Sequence, residues 1–221
     1  MGAIRSVAQS LDPAGEAVEE QNQTIETLAT LAESKAEFFE LSIRTSLQDA
    51  GGPGDLTVPI ESVLDSVTET HAYSSKSADA IGTAVTKSLK AFCSGSQDEI
   101  LGGVGSLISD GLATFLGDSS ASDTTMKRYY ILTEGYSIIR IDLCAWQYNV
   151  EAKGIQSIVE KVGAFVAVKS AVDMSKVKLN TFLNVYARQL ATMPVDNGTV
   201  EAAIADAKRI HHEFLTTETT T

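Results

Sequence analysis

One stretch of the sequence, residues 128–151, constrains the fold more than any other. It reads RYYILTEGYSIIRIDLCAWQYNVE and holds the only tryptophan, four of the six tyrosines and one of the two cysteines. β-Branched and aromatic residues lie on both sides of Glu134-Gly135, a pattern typical of two strands joined by a tight turn. We therefore predict an antiparallel β-hairpin within about 128–151, with a buried helix as the alternative that the pattern leaves open.

The second half of this stretch changes its side-chain parity. Ile139, Ile141 and Leu143 alternate with charged residues, whereas the large side chains from Cys144 onward occupy the other parity. Because alternate side chains of a strand point to opposite faces, this change predicts a β-bulge or bend near 143–145.

Most of the remaining chain shows the three- and four-residue apolar spacing of amphipathic helices. The first such segment spans 13–49, and the run AGGPGD at 50–55 ends it. The same spacing predicts further helical regions, in chain order: from Pro59 to residue 92 with a break at 73–75, over 99–117, from Gly154 through residue 190 as one helix or two, and over 200–214.

These elements together predict an α+β fold class, a mostly helical single domain with one antiparallel hairpin. A chain of 221 residues is long enough for one domain with a sizeable core. We expect that domain to span 1–221, with an N-terminal helical part (13–117), the hairpin and C-terminal helices (126–215), and a disordered tail (216–221).

The net charge of −12 restricts the partners that the protein can have. An acidic surface repels nucleic acid phosphates and anionic lipid head groups, because both require a basic contact surface. We therefore expect no nucleic-acid partner.

Two further features concern membranes and location. No apolar run reaches the ~20 residues that span a bilayer, and the start MGAIRSVAQSLDPAG lacks the features of a secretory signal peptide. We expect an intracellular protein, in the cytoplasm or a vacuole, with membrane association left open. The five glycines within 99–117 suit either close helix packing or membrane insertion, and Asp110 in their midst favours packing.

The sequence offers little to a catalytic or metal-binding interpretation. It has no nucleophile elbow, phosphate-binding loop or paired metal-ligand motif. His71 lies in an apolar pattern, and His211 and His212 are adjacent, so they cannot chelate one ion as an i, i+4 pair would. We predict a non-enzymatic protein without metal or non-covalent cofactor. The alternatives are an enzyme with a dispersed active site, such as a hydrolase, and an α-helical membrane-active toxin.

One motif resembles a known family. The run RIDLCAWQYN, followed by Gly154-Ile155, resembles a segment of a small family of bacterial proteins typified by the Erwinia virulence factor, with which we group the fungal vacuolar crystal-forming protein OCTIN. The resemblance covers roughly residues 126–190 and depends on this one short motif. It implies an α/β protein that is not a known enzyme and that carries a fatty acid on a cysteine.

By its position in the motif, Cys144 is the cysteine that the resemblance assigns to acylation. The implied product is a lipoprotein with covalent palmitate in an apolar pocket, for which the candidate residues are Tyr130, Ile139, Leu143, Trp146 and Tyr148. The resemblance further implies a virulence-related or crystal-forming protein that self-associates into oligomers and contacts lipid or a membrane. The residues alone favour another role for Cys144, a buried inert thiol, because Arg140 is the only cation close to it in sequence.

Overall fold

The structure is a computed structural model, and it describes the greater part of the chain. The described residues are 16–52, 57–73, 87–89, 92, 108, 110–116, 123–134, 137–150, 159–190, 201–202, 204–205, 207–209 and 211–212. The predicted disordered tail at 216–221 and the beginning of the predicted helix at 99–117 lie outside them.

Two helices and four strands make up the framework. In chain order they are α1 (Glu16–Asp49), β1 (Ile60–Tyr73), β2 (Asp123–Glu134), β3 (Ser137–Asn149), β4 (Lys161–Val172) and α2 (Leu179–Leu190). Shorter helical stretches are seen at 87–89, at 110–116 and within 201–212.

The four strands form one antiparallel sheet in the order β1-β4-β3-β2. Strands β2 and β3 pair up to their adjacent ends, where Glu134 lies opposite Ser137. Strand β4 then pairs with β3 on one side and β1 on the other, and both pairings are antiparallel. The two central strands, β3 and β4, are therefore covered at both edges, whereas β1 and β2 are the outer strands of this sheet.

The prediction of a mostly helical domain with a single hairpin is wrong. The hairpin segment is only half of a four-stranded sheet, and the two regions expected to be helices after Pro59 and after Gly154 contain β1 and β4. Ten of the twelve residues of β4 in succession are buried, from Lys161 to Ser170. A strand covered on both faces is apolar at almost every position, and such a run matches a helical spacing as well as a strand spacing.

The sheet lies between two helical layers. Helix α1 covers one face through a row of buried residues that follows the predicted spacing: Ile25, Leu28, Ala32, Ala36, Phe39, Ile43 and Leu47. The other face packs against α2 and the shorter helical stretches, with Phe182, Tyr186, Leu112 and Leu116 in its core cluster. The result is a three-layer α/β/α arrangement with two separate hydrophobic clusters, one on each side of the sheet.

The predicted bulge near 143–145 is absent. The pairing of β3 with both neighbours runs without a shift from Ile139 to Tyr148. Large side chains occur at both parities because both faces of β3 are buried. The register shifts lie instead in β1, between Ile60 and Ser62 and between Val63 and Asp65.

The junction between α1 and β1 depends on one glycine. Gly51 has a φ of +76°, a left-handed conformation that ends α1. A Cβ atom at this position would lie 2.8 Å from the Cβ of Pro59. The chain can therefore turn from the helix layer into the sheet here because no side chain is present.

The described helices and the described part of the glycine-rich segment 99–117 bear on membrane insertion. Among the described residues, no helix has the length and apolar character needed to cross a bilayer. In the part of 99–117 that is described, Ile108, Leu112 and Leu116 are buried in the core while Asp110 is exposed.

Candidate functional site

Cys144 lies in the middle of the sheet, beneath α1. It is a free thiol with 2% of its surface exposed, and it belongs to the cluster between α1 and the sheet. Its direct neighbours across the strands are Lys127 on β2 and Val166 on β4. Burial raises the pKa of the Cys144 thiol from 9.0 to about 11, an effect that the nearby Lys127 charge only partly offsets. The group is therefore protonated at neutral pH and is a poor nucleophile in the folded protein.

The structure divides the candidate acyl-pocket residues between the two faces of the sheet. Trp146 and Tyr148 lie on the same face as Cys144 and pack with the α1 cluster. Tyr130, Ile139 and Leu143 belong to the cluster on the opposite face. Because the sheet separates the two groups, these five side chains do not surround one common cavity.

Two of the aromatic residues near Cys144, Trp146 and Tyr148, pack under α1. The Trp146 ring stacks on Tyr148 with centroids 6.2 Å apart, and its Nε1 donates a hydrogen bond of 2.7 Å to Oδ1 of Asp123. Lys35 of α1 places its Nζ 5.4 Å from the centre of the same ring. Tryptophan thus joins the helix layer to strands β2 and β3, with its one polar group satisfied.

A buried ion pair on β3 is the most strongly polar feature of the core. Arg140 and Asp142 form a two-pronged contact, with Nε–Oδ2 and Nη2–Oδ1 distances of 2.8 and 2.7 Å. Arg140 also donates from Nη1 to the Val58 carbonyl at 2.6 Å, and its guanidinium lies 4.7 Å from the Tyr129 ring centre. Burial raises the pKa of Asp142, and the hydrogen bonds and charge of Arg140 offset part of that rise.

Sequence reasoning did not identify this pair as a unit. The signal was available, because residues at i and i+2 of a strand share a face and opposite charges at that spacing can meet. The three groups that Arg140 contacts in these interactions, the Asp142 carboxylate, the Val58 carbonyl and the Tyr129 ring, all belong to the fold itself. The pair therefore ties β3 to the segment before β1, which is a structural rather than a chemical role.

Two of the three histidines are held in structural contacts. His71 lies on β1, where its Nε2 is 2.8 Å from Oε2 of Glu69 and its ring stacks on Phe165 at 6.0 Å. Burial raises the pKa of Glu69, but hydrogen bonds from His71 and Ser88 outweigh this effect and the net pKa is lowered. His211 has its Nε2 3.1 Å from the Val177 carbonyl. In the described part of the chain, no three His, Cys, Asp or Glu side chains are grouped so that they could hold a metal ion.

The outward side of α1 carries a second apolar row. Leu31, Phe38 and Leu41 are 37%, 62% and 65% exposed, the last two among the most exposed large hydrophobic side chains of the described residues. At 100° per residue they fall on one side of the helix, roughly opposite the row that packs on the sheet. We call these three residues the outer α1 stripe. The spacing i, i+7, i+10 was the sequence signal, but the stronger core-facing row obscured it.

The surroundings of the outer α1 stripe are uncharged at its centre and acidic along one side. The exposed residues that share its side of the helix include Thr27, Ser34 and Thr45. Glu26 and Glu37 are exposed on the neighbouring side, where the exposed Arg44 pairs with Glu40. Such a surface offers apolar area without a buried charge, which is the composition of the centre of a protein contact rather than of a catalytic site.

Comparisons with known proteins do not assign a family. No protein-family model matches the sequence, and neither a curated protein nor a solved structure shows a significant match to it.

Proposed function

We propose that this protein is non-enzymatic and acts by self-association, with the outer α1 stripe as its contact surface. The observation that carries the proposal is the exposure of Phe38 and Leu41, which together present large apolar side chains that the fold does not bury. Burying apolar surface stabilises a complex by roughly 25 cal/mol per Å². A second copy that covers the Phe38 and Leu41 side chains is therefore favoured.

The geometry of α1 suits a symmetric contact between two copies. The helix has 34 residues and is therefore about 51 Å long, and it packs along one face of the sheet. Leu31 and Leu41 are separated by about 15 Å along the helix axis, at 1.5 Å per residue. Two copies that pack helix against helix would bury both stripes at once, as in the two-fold contacts that are commonest in homo-oligomers.

The polar core groups described above favour association over catalysis. Arg140, Asp142, His71 and His211 all contact groups of the fold, at distances of 2.6–3.1 Å. The thiol of Cys144 has a raised pKa and is covered by α1. These contacts within the fold support a structural role for the four polar groups and for the thiol.

Sedimentation equilibrium of Phe38→Ser/Leu41→Ser tests this function. We expect the wild-type protein to associate at micromolar concentration and the double variant to remain monomeric. A matched control is Val63→Ser/Leu64→Ser, which removes two exposed apolar side chains, each 52% exposed, from β1. If wild-type protein is monomeric, or if both double variants dissociate equally, the outer α1 stripe is not the contact surface.

The lipid part of the proposed function concerns Cys144. We propose that a fatty acyl group on this thiol would extend into the apolar layer beneath α1, next to Trp146 and Val166. Because α1 covers the thiol, acylation would have to precede the packing of α1 on the sheet.

Intact-mass measurement tests the acylation of Cys144 directly. We expect one added acyl mass that neutral hydroxylamine removes, because hydroxylamine cleaves thioesters and spares amides. Cys144→Ser should lack the added mass, whereas Cys93→Ser should retain it. Protein purified from its natural source with an unmodified Cys144 would contradict the lipid part and leave the self-association untouched.

A further inference from the structure

The outer α1 stripe is the centre of a longer exposed row on the same helix. Seven residues follow one another in alternating steps of four and three, and all seven are exposed: Thr27, Leu31, Ser34, Phe38, Leu41, Thr45 and Gln48. We call this row the α1 seam. None of its side chains is charged. Alternating steps of four and three are the spacing by which two helices pack along each other.

The side of the α1 seam toward β2 and β3 carries lysines. Lys35 and Ser42 directly follow seam residues. The Lys35 Nζ lies 5.4 Å from the centre of the Trp146 ring, and the Nζ of Lys127 on β2 lies 3.3 Å from the Ser42 Oγ. Lys127 is exposed, so it brings a positive charge to position 42 of the helix. About two turns further along the same side, Asp49 is exposed and negative.

The other side of the α1 seam carries the opposite order of charges. Glu37 and Arg44 directly precede seam residues, and both are exposed. At 100° per residue, they lie across the seam from Ser42. The order along this side is therefore negative and then positive, whereas the side toward β2 is positive at Lys127 and then negative at Asp49.

Parallel packing of two α1 helices brings these opposite charges together. When two such helices are in register, a residue that precedes the seam contacts the residue five positions further along the other helix. Glu37 then meets position 42, where Lys127 lies, and Arg44 meets Asp49. Arg44, which pairs with Glu40 of its own helix at 2.7 Å, would gain Asp49 as a second acceptor. Two-fold symmetry makes each contact twice.

Antiparallel packing brings like charges together instead. In that arrangement each side of the seam contacts the same side of the other helix. With Leu31 opposite Leu41, Glu37 approaches Glu37 of the second copy and Lys35 approaches Lys35. Like charges that oppose each other across an interface are unfavourable. The charges beside the seam therefore favour the parallel orientation.

We propose that two copies pack with their α1 helices parallel and in register, with Glu37 of each copy paired to Lys127 of the other and Arg44 paired to Asp49. This arrangement rests on the proposed self-association through the outer α1 stripe and adds its orientation and charged contacts. Exposed ion pairs contribute little affinity and mainly select the orientation. The apolar side chains of the stripe still hold the two copies together.

Disulfide crosslinking of the full chain, in a Cys93→Ser background with copper phenanthroline as the oxidant, measures the orientation. We expect Thr27→Cys to form a covalent dimer with itself, because parallel packing places the two positions opposite each other. Antiparallel packing places position 27 opposite position 45, which leaves the two copies of position 27 about 27 Å apart. A mixture of Thr27→Cys and Thr45→Cys, tagged to differ in size, would then give the mixed dimer.

Sedimentation equilibrium of charge-reversed variants measures the pairing of Glu37 with Lys127. Glu37→Lys and Lys127→Glu should each raise the dissociation constant at least about five-fold, because each opposes like charges across the interface. The double variant Glu37→Lys/Lys127→Glu keeps the net charge at −12 and should return to within about two-fold of wild type. Asp110→Lys is the matched control. It makes the same change of net charge at an exposed position on the other helical layer, and it should not weaken association.

Three results would overturn the proposal, and they separate it from the proposed function. A dimer that Phe38→Ser/Leu41→Ser abolishes but that crosslinks only between positions 27 and 45 is antiparallel, so the orientation fails while self-association stands. A double variant Glu37→Lys/Lys127→Glu that associates as weakly as the single variants shows that the two charges do not pair. A monomeric wild type overturns both the orientation and the proposed function.

Discussion

Individual residues in the core show how the sheet holds polar groups at low cost. Arg140 and Asp142 form two hydrogen bonds with one another, and a third donor of Arg140, on Nη1, reaches the Val58 carbonyl. A buried pair of this kind adds little net stability over an apolar substitute, but loss of one partner leaves an uncompensated charge in a dry environment.

Replacing one partner of this pair should therefore be far worse than replacing both. We expect Asp142→Ala to lower the free energy of unfolding by about 3–5 kcal/mol, because Arg140 keeps its charge without a carboxylate. The double variant Arg140→Met/Asp142→Leu should lose less free energy of unfolding than the single variant Asp142→Ala. Urea unfolding measures both values. A loss below about 1 kcal/mol for Asp142→Ala would mean that water reaches the Arg140 guanidinium.

The raised pKa of Cys144 predicts a specific alkaline weakness. Burial raises the pKa of the Cys144 thiol in the folded protein to about 11, whereas the ordinary pKa of an exposed thiol is 9.0. The stability that the protonated thiol contributes is therefore fully present below pH 9.0 and is lost as the pH rises toward 11.

The expected loss over that interval is about 2–3 kcal/mol, at 1.36 kcal/mol per unit of pKa difference. Unfolding in urea under reducing conditions, compared between wild type and Cys144→Ala from pH 8 to 10.5, isolates this contribution from other groups that titrate there. The free energy of unfolding of the wild type, relative to that of Cys144→Ala, should fall as the pH rises. A difference that is independent of pH would show that the folded thiol titrates like an exposed one.

At the scale of elements, the end of α1 decides where the sheet begins. Gly51 combines a left-handed backbone with a close approach to Pro59, and both requirements exclude a side chain. Once the helix ends there, Val58 and Pro59 are buried, and the Pro59 carbonyl accepts a hydrogen bond of 3.0 Å from the Asp173 amide beyond β4.

A glycine-to-alanine comparison measures how much the junction between α1 and β1 contributes to the stability of the fold. Gly51→Ala should cost at least about 1–2 kcal/mol from the left-handed conformation alone, and the 2.8 Å contact with Pro59 adds to it. Gly111→Ala is the matched control, since among the described residues its added Cβ would meet only the Tyr130 hydroxyl at 3.9 Å. Because Gly111 lies in a helical stretch, that variant should be neutral or slightly stabilised in thermal unfolding. Equal losses of stability in the two variants would show that Gly51 has no special role at the junction.

For the whole molecule, the three-layer arrangement and the net charge act on association in opposite directions. The sheet needs a helix layer on each face, so one side of α1 is buried and the other is left with Leu31, Phe38 and Leu41. The net charge of −12 makes two copies repel each other at long range, while the stripe itself is uncharged.

Self-association should accordingly strengthen as salt is added. Raising ionic strength from about 0.01 M to 1 M shortens the Debye length from about 30 Å to 3 Å, which screens the repulsion and leaves the apolar contact intact. Sedimentation equilibrium should show a lower dissociation constant at the higher salt concentration for wild type, and no change for Phe38→Ser/Leu41→Ser. Association that weakens with salt would mean that ion pairs, and not the stripe, hold the copies together.

The sequence by itself determined the features that depend on local pattern. The core-facing row of α1 and the paired strands on either side of Glu134 could be read from spacing, because one helix face or one tight turn is specified by neighbouring residues. Only the tertiary structure decided what β1 and β4 are. β4 is buried on both faces by layers far away in the chain, and such burial removes the alternation that distinguishes a strand from a helix. The same burial produced the false bulge in β3. Without that bulge, strand alternation places Cys144 on the opposite face from Ile139 and Leu143. Which layer covers each face of the sheet is decided by distant parts of the chain, and a local pattern does not contain that information.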